Sequence, residues 1–310
     1  MSAAPRIVVR VDSSSRIGTG HAVRCLTLAR ALRARGNDLR FVCEPLAGNV
    51  NAMLAGEGFA VAATMDTDAR FDWLVVDTEH NPTDIRTLSL MFGAITTGGS
   101  APMVRIPWNH PENFKRVLDA GAWGIVVPMV NNREEAERAA EATFFPPKGK
   151  RSVGGSMTGT RFDTSGGDYL KHADDEICLI LQIEHIDAVE KCDEILSVPG
   201  VAGCFIGPND LAASMGVGLG VPLEGDDPRM VEAIAHVCKT SKEVGVAPGI
   251  HTSGAAGINQ RIAEGFQFLA MASETKYLVG GLTSDLAKTN WTPSERSTIA
   301  SQEAGSAIRY

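Results

Sequence analysis

The sequence predicts an α/β protein: a (β/α)8 barrel whose first βα unit is replaced by a doubly wound βαβα fragment. Three observations carry this. From residue 72 onward, short apolar runs alternate with amphipathic stretches, the pattern of parallel strands covered on both faces by helices. Seven such βα units can be read, one short of the eight that close a TIM barrel. The first 71 residues, by contrast, hold more strands than one barrel unit needs.

The front part, residues 1–71, has strand candidates "RIVVRVD" (6–12), "LRFVC" (39–43) and "FAVAA" (59–63), with helical stretches "HAVRCLTLARALRARG" and "NVNAMLAGEG" between them. In a doubly wound order the first strand neighbours the fourth, so "RIVVRVD" is expected to fill the vacant first barrel position. The barrel body, residues 72–287, offers "WLVVD" (73–77), "PMVRI" (102–106), "GIVVPM" (124–129), "CLILQIE" (178–184), "VAGCFIG" (201–207), "APGI" (247–250) and "FLAMA" (268–272). Helical patterns such as "NHPENFKRVLDAG", "NREEAERAAEAT" and "PRMVEAIAHVCKTSKEVG" separate them. Residues 288–310 are polar, lack a sustained apolar period and read as a C-terminal tail.

Composition narrows the function classes. A formal net charge of −8 with no basic cluster argues against a nucleic-acid partner, which needs a concentrated positive surface. No apolar run approaches the roughly 20 residues that span a bilayer, and the start shows no signal-peptide succession. The six cysteines are scattered, with no C-x-x-C pair, and most sit in apolar runs, so buried, reduced thiols in a cytoplasmic protein are expected.

In a barrel of this kind, reacting groups project from the carboxyl ends of the strands. Those ends carry Asp77, Glu79 and His80, then Arg105, then Gln182 and Glu184, and Asp210 after "CFIGPN". Each has an ordinary alternative. Asp210 fits a helix cap, Glu184 the partner of a helix lysine, His80 a loop histidine and Arg105 a rim salt bridge. Their convergence on one rim points instead to a site. Glu184 and Asp210 come from successive strands about 4.8 Å apart, close enough to meet round one ion. Two carboxylates with no Cys/His cluster suit oxygen-preferring Mg²⁺ or Mn²⁺ rather than zinc. The residues alone thus indicate a metal-assisted enzyme acting on a small anion.

The segments "FDWLVVDTEHNPTD", "MVRIPWNHPENFKRVLDAGAWGIVVPM", "FFPPKGKRSVGG", "LQIEHIDAVEKCDEILSVPGVAGCFIGPNDLAASMG" and "APGI" occur in the order seen in one family. From about residue 70 to 287 the chain resembles the HpcH/HpaI family of metal-dependent, class II pyruvate aldolases. That resemblance implies a TIM barrel, a homo-oligomer (usually a hexamer), and cleavage or formation of 4-hydroxy-2-oxo acids through a pyruvate enolate, with an aldehyde as the other product. It makes Glu184 and Asp210 the ligands of Mg²⁺ or Mn²⁺, with Co²⁺ also admissible. It places Gln182 beside the site and gives Arg105 the pyruvate oxygen. It assigns His80 and Asp77 to proton transfer, Asp77 orienting the imidazole, and it sets the Gly207–Pro208–Asp210 turn against the pyruvate carboxylate. The chain departs from the family at Phe144, Phe145 and Ser152 and in "SMTGTRF" and "GIHTSGA". These loops are expected to flank the mouth and to bear on the choice of aldehyde.

Residues 5–62 resemble something else. "RVDSSSRIGTGHAVRCLTLARALRARGNDLRFVCEPLAGN" is similar to the amino terminus of the UDP-sugar hydrolase of pseudaminic acid biosynthesis. His21 there matches a catalytic histidine, with Gly18 and Gly20 shaping its loop. The nucleotide-gripping half of that enzyme has no counterpart here, so the chain reads as a chimera joined near "ARFDWLVVD". Besides an aldolase, two further classes remain open: an inactive scaffold that binds only metal or pyruvate, and a sugar-nucleotide binder acting through the front.

Overall fold

The computed structural model describes residues 6–10, 20–34, 38–43, 50–57, 60–63, 71–154, 157–162 and 164–289. The chain divides into two compact units, Met1–Arg70 and Phe71–Tyr310. In the first, β1 (Arg6–Arg10), α1 (Gly20–Arg33), β2 (Asp38–Cys43), α2 (Asn51–Gly56) and β3 (Ala60–Ala63) follow in turn. The strands pair in parallel in the order β1-β2-β3, with Arg6 opposite Asp38 and Arg40 opposite Ala60. Arg30 of α1 makes a two-pronged ion pair with Glu57 just past α2, at 3.1 and 2.6 Å. Gly20 and His21 are the first two residues of α1, whereas Gly18 and the tail beyond 289 lie outside the described residues.

The second unit alternates strand and helix as its sequence requires. In order it contains β4 (Trp73–Asp77), α3 (Ile85–Thr97), β5 (Ala101–Arg105), α4 (Pro111–Asp119), β6 (Gly124–Val127), α5 (Arg133–Thr143), α6 (Met157–Arg161) and α7 (Gly166–Glu176). Then come β7 (Cys178–Ile183), α8 (Ile186–Glu190), α9 (Cys192–Leu196), β8 (Val201–Ile206), α10 (Pro208–Ser214), α11 (Pro228–Val244), β9 (Gly249–Thr252), α12 (Ala255–Glu264), β10 (Phe268–Met271) and α13 (Glu274–Leu286). Helix starts are signalled locally. Asn132 caps α5 by accepting from Glu135 N at 2.9 Å, Ser165 caps α7, and Pro111 opens α4. Gly245 ends α11 at φ 83°, a left-handed conformation that glycine adopts without penalty.

All seven sequence-derived strands form one parallel sheet in the order β10-β9-β8-β7-β6-β5-β4. Alternation along the strands separates two cores. Ile125, Leu179, Leu181, Ile183, Cys204, Ile206 and Ile250 face outward and pack against the helices. Met103, Val126 and Ile180 face inward and gather Trp73, Val75, Phe205 and Phe268 round them. Trp73 of β4 stacks on Phe268 of β10, ring centroids 4.3 Å apart, although these are the two edge strands of the sheet. The sheet is therefore curled, a TIM-like half-barrel whose edges meet through side chains.

Within the first unit, Arg6–Arg10 of the expected strand 6–12 forms β1 and is hydrogen-bonded to β2, while Val11 and Asp12 lie outside the described residues. Phe144 and Phe145 belong to the buried core, not to the mouth: a Cβ at Gly200 would stand 2.3 Å from the Phe144 ring, and Phe145 packs edge-on to Tyr169. Ser152, by contrast, is exposed. Cys192, Cys204 and Cys238 are buried free thiols as expected, but Cys178 is exposed at the first position of β7.

Candidate active site

The polar groups singled out in the sequence lie at the carboxyl ends of β4, β5, β7 and β8. Asp77 and Arg105 are the last residues of paired strands and stand opposite each other in register. Arg105 grips Asp77 with two parallel bonds, Nε to Oδ1 at 2.9 Å and Nη2 to Oδ2 at 2.8 Å. Its remaining nitrogen, Nη1, stands 3.2 Å from Glu79 Oε2. Thr78 ties the two strand ends together, its hydroxyl donating to Arg105 O at 2.7 Å. Burial works to raise the Asp77 pKa, yet the bonds and charge of Arg105 and the amide of Glu79 outweigh it and hold the carboxyl low.

The same guanidinium does not rescue Glu79. Burial raises this carboxyl, the charges of Asp77 and Asp210 add to the rise, and Arg105 and His80 only partly oppose it. The imidazole of His80 is largely exposed, 3.8 Å from Glu79 Oε2. Asp77 does not orient that ring. Its oxygens are taken by Arg105, the backbone N–H of Glu79 at 3.0 Å and the Asn81 amide at 2.9 Å, so the neighbour of His80 is Glu79.

Glu184 follows β7 and is almost fully buried. Its Oε1 accepts from the Met129 amide at 2.8 Å, and its Oε2 takes a short hydrogen bond from Gln182 Nε2. Met129 adopts φ 53°, a left-handed backbone rare for a side-chain-bearing residue, and such strain concentrates at functional sites. Opposite, Gly207 leaves room: a Cβ there would sit 2.4 Å from Glu184 Oε2. Gly207 is the N-cap of α10 and Pro208 its first residue, so Asp210 occupies the third helical position and is exposed. The capping alternative for Asp210 is therefore not realised. Burial pushes Glu184 up to about 7, and the charges of Asp210 and Glu79 drive it in the same direction against Arg105 and the Met129 amide.

Asp77, Glu79, Glu184, Asp210 and Arg105 thus feel one another's charges at one rim, with His251 of β9 near Arg105. Among the described residues no group of three or more His, Cys, Asp or Glu side chains is placed to enclose a metal ion. The donor set nevertheless fits a hard cation. Asp77, Glu79 and Glu184 act on one guanidinium, Asp210 adds its charge to Glu184 and Glu79, and the Gln182 Oε1 atom is buried without a partner, so oxygen predominates among the groups at this rim. Sequence reading had named Glu79 at the strand end without giving it a role. The Met129 amide carried no sequence signal, because the contribution is a backbone angle.

The profile of the family described as HpcH/HpaI aldolase/citrate lyase matches residues 56–280. A 4-hydroxy-2-oxo-heptane-1,7-dioate aldolase of Klebsiella pneumoniae is 38% identical over 220 residues, covering 71% of this chain and 82% of that protein. The structure of an HpcH/HpaI aldolase/citrate lyase family protein from Burkholderia cenocepacia J2315 superposes with TM-score 0.64 at 33% identity, covering 71% of this chain and 86% of the other. An HpcH/HpaI aldolase from Desulfitobacterium hafniense DCB-2 superposes with TM-score 0.64 at 27% identity, covering 79% and 90%.

Proposed function

Because the chain belongs to the HpcH/HpaI aldolase/citrate lyase family, we propose that this lyase is a divalent-metal-dependent aldolase that cleaves or forms 4-hydroxy-2-oxo acids, with pyruvate as one product. The observation that carries the metal dependence is Glu184: a buried carboxyl, raised to about 7, with the acidic groups Asp210 and Glu79 adding to the rise. A cation held by Glu184 and Asp210, Mg²⁺ or Mn²⁺ by donor chemistry, would relieve that arrangement. When bound it supplies Lewis-acid stabilisation of negative charge on the 2-oxo acid.

The chain's own groups account for the rest. Arg105, braced by Asp77 and Glu79, presents a fixed positive charge to the keto oxygen, where charge develops as the enolate forms. The Gly207–Pro208–Asp210 turn and Gln182 would receive the carboxylate. In cleavage a base takes the proton of the 4-hydroxyl, the C3–C4 bond breaks, the former C4 leaves as an aldehyde, and C3 of the enolate takes up a proton to give pyruvate. His80, exposed beside Glu79, is the group we assign to proton transfer.

The test is pyruvate release from 4-hydroxy-2-oxo-heptane-1,7-dioate, the substrate named for the Klebsiella relative, with Mg²⁺ or Mn²⁺ and after chelation. Activity lost on chelation and in both Glu184→Ala and Asp210→Ala is the expected result; activity that survives chelation ends the proposal. A second reading is a scaffold that binds metal and pyruvate without turnover, favoured by the curled sheet whose edge strands β4 and β10 meet through side chains. Calorimetry showing binding in the absence of catalysis would identify it. For the front unit, the parallel β1-β2-β3 sheet supports descent from a sugar-nucleotide enzyme, and UDP-sugar binding abolished by His21→Ala is its test.

A further inference from the structure

One ionisable group at the rim is left unused by this chemistry. On β9, Ile250 and Thr252 are fully buried, and Ile250 belongs to the core between sheet and helices, so His251 faces the barrel interior. Beside the ring runs the backbone of Ala272, a residue held at φ 54° just past β10, whose carbonyl is the acceptor that acts on it. The charges that act on the ring are Arg105 from β5, Glu224, and Lys276 from α13. Glu224 and Lys276 also fix the strand end beyond it: Glu224 Oε1 accepts from the Ser253 amide at 2.7 Å, and Lys276 Nζ donates to the Ser253 carbonyl. Burial, assisted by Arg105 and Lys276 against Glu224, pushes the imidazole pKa down. A neutral imidazole has one donor and one acceptor, so with its N–H turned to the Ala272 carbonyl the other nitrogen is the acceptor that the interior can use.

Pyruvate offers that nitrogen nothing to accept, since its oxygens are assigned to Arg105 and to the turn after β8, and it has no hydroxyl. The aldehyde half is the remaining candidate. We propose that His251 is a specificity-determining residue whose free ring nitrogen accepts a hydrogen bond from a hydroxyl on the aldehyde half of the substrate, so that α-hydroxyaldehydes are preferred over deoxy isosteres. This inference rests on the aldolase reading above.

The experiment compares glycolaldehyde with propanal, two acceptors of the same size, in condensation with pyruvate and Mn²⁺. A site built round a hydroxyl discriminates against the analogue that lacks it, so the wild-type kcat/KM ratio should favour glycolaldehyde by about tenfold or more. His251→Leu should bring the ratio near one, and His251→Gln, which keeps an acceptor, should retain part of it, both variants being checked for native melting. The same ratio in wild type and His251→Leu overturns the proposal. Should the wild type turn over neither aldehyde, the aldolase reading fails, and His251 is judged by binding. Calorimetry with Mn²⁺ should then show 4,5-dihydroxy-2-oxopentanoate held tighter than 4-hydroxy-2-oxohexanoate by the wild type and not by His251→Leu. Equal affinities for the two acids in the wild type overturn the proposal.

Discussion

At the scale of single residues, Glu184 decides how the site responds to pH. A carboxyl whose folded pKa is raised contributes stability that is fully present below its ordinary range and is lost as pH rises through the folded value, here about 7. Without a cation, the wild type should therefore lose melting temperature as pH rises from about 4.5 to about 7, with Glu184 contributing on the order of 3 kcal/mol at most across that window. Glu184→Gln should flatten that slope, and Mn²⁺ should raise the wild-type melting temperature more at pH 8 than at pH 6. Parallel pH slopes in wild type and Glu184→Gln would contradict the assignment. Gly207→Ala drives a methyl group into the Glu184 carboxylate and should remove the Mn²⁺-induced shift while the fold persists. Arg105→Lys keeps the charge but not the two-pronged grip on Asp77, and kcat should fall by about 10- to 100-fold, readable in pyruvate release. The identity of these residues was legible because strand ends are legible: an apolar run that stops at Asp, Arg or Glu announces its rim. Their partners were not. The resemblance sets Asp77 against His80, whereas the register of β4 against β5 brings it opposite Arg105.

At the scale of elements, the helices are held by local chemistry that the sequence states openly. Asn132 caps α5 directly after the β6 loop that contains Met129, so this cap lies close in sequence to the amide that holds Glu184. Asn132→Ala should cost about 1 kcal/mol in urea unfolding, the usual worth of such a cap. If the loop depends on it, metal affinity should drop as well; unchanged unfolding would mean that the cap bond carries no weight. Amphipathic patterning made α4, α5 and α11 readable in advance. The Met129 and Ala272 backbones were not readable, because neither carries the glycine that usually marks a left-handed residue.

At the scale of the molecule, seven strands were visible in the sequence and all seven form one sheet. The neighbours of "RIVVRVD" could not be read there, since its apolar run suits any parallel partner; Arg6–Arg10 pairs with β2 inside the first unit. The curled sheet brings Trp73 and Phe268 together in place of a ladder between its edges. A double-mutant cycle, Trp73→Leu with Phe268→Leu, should return a coupling of about 1 kcal/mol. Additive effects would show that the rings merely coexist.

A barrel joined along one line by stacked rings differs mechanically from one stitched all round by peptide bonds' amides and carbonyls. Rings can slide over each other at little cost, whereas a ladder must break bond by bond. Deuterium should accordingly enter the backbones of β4 and β10 well before those of β6 and β7.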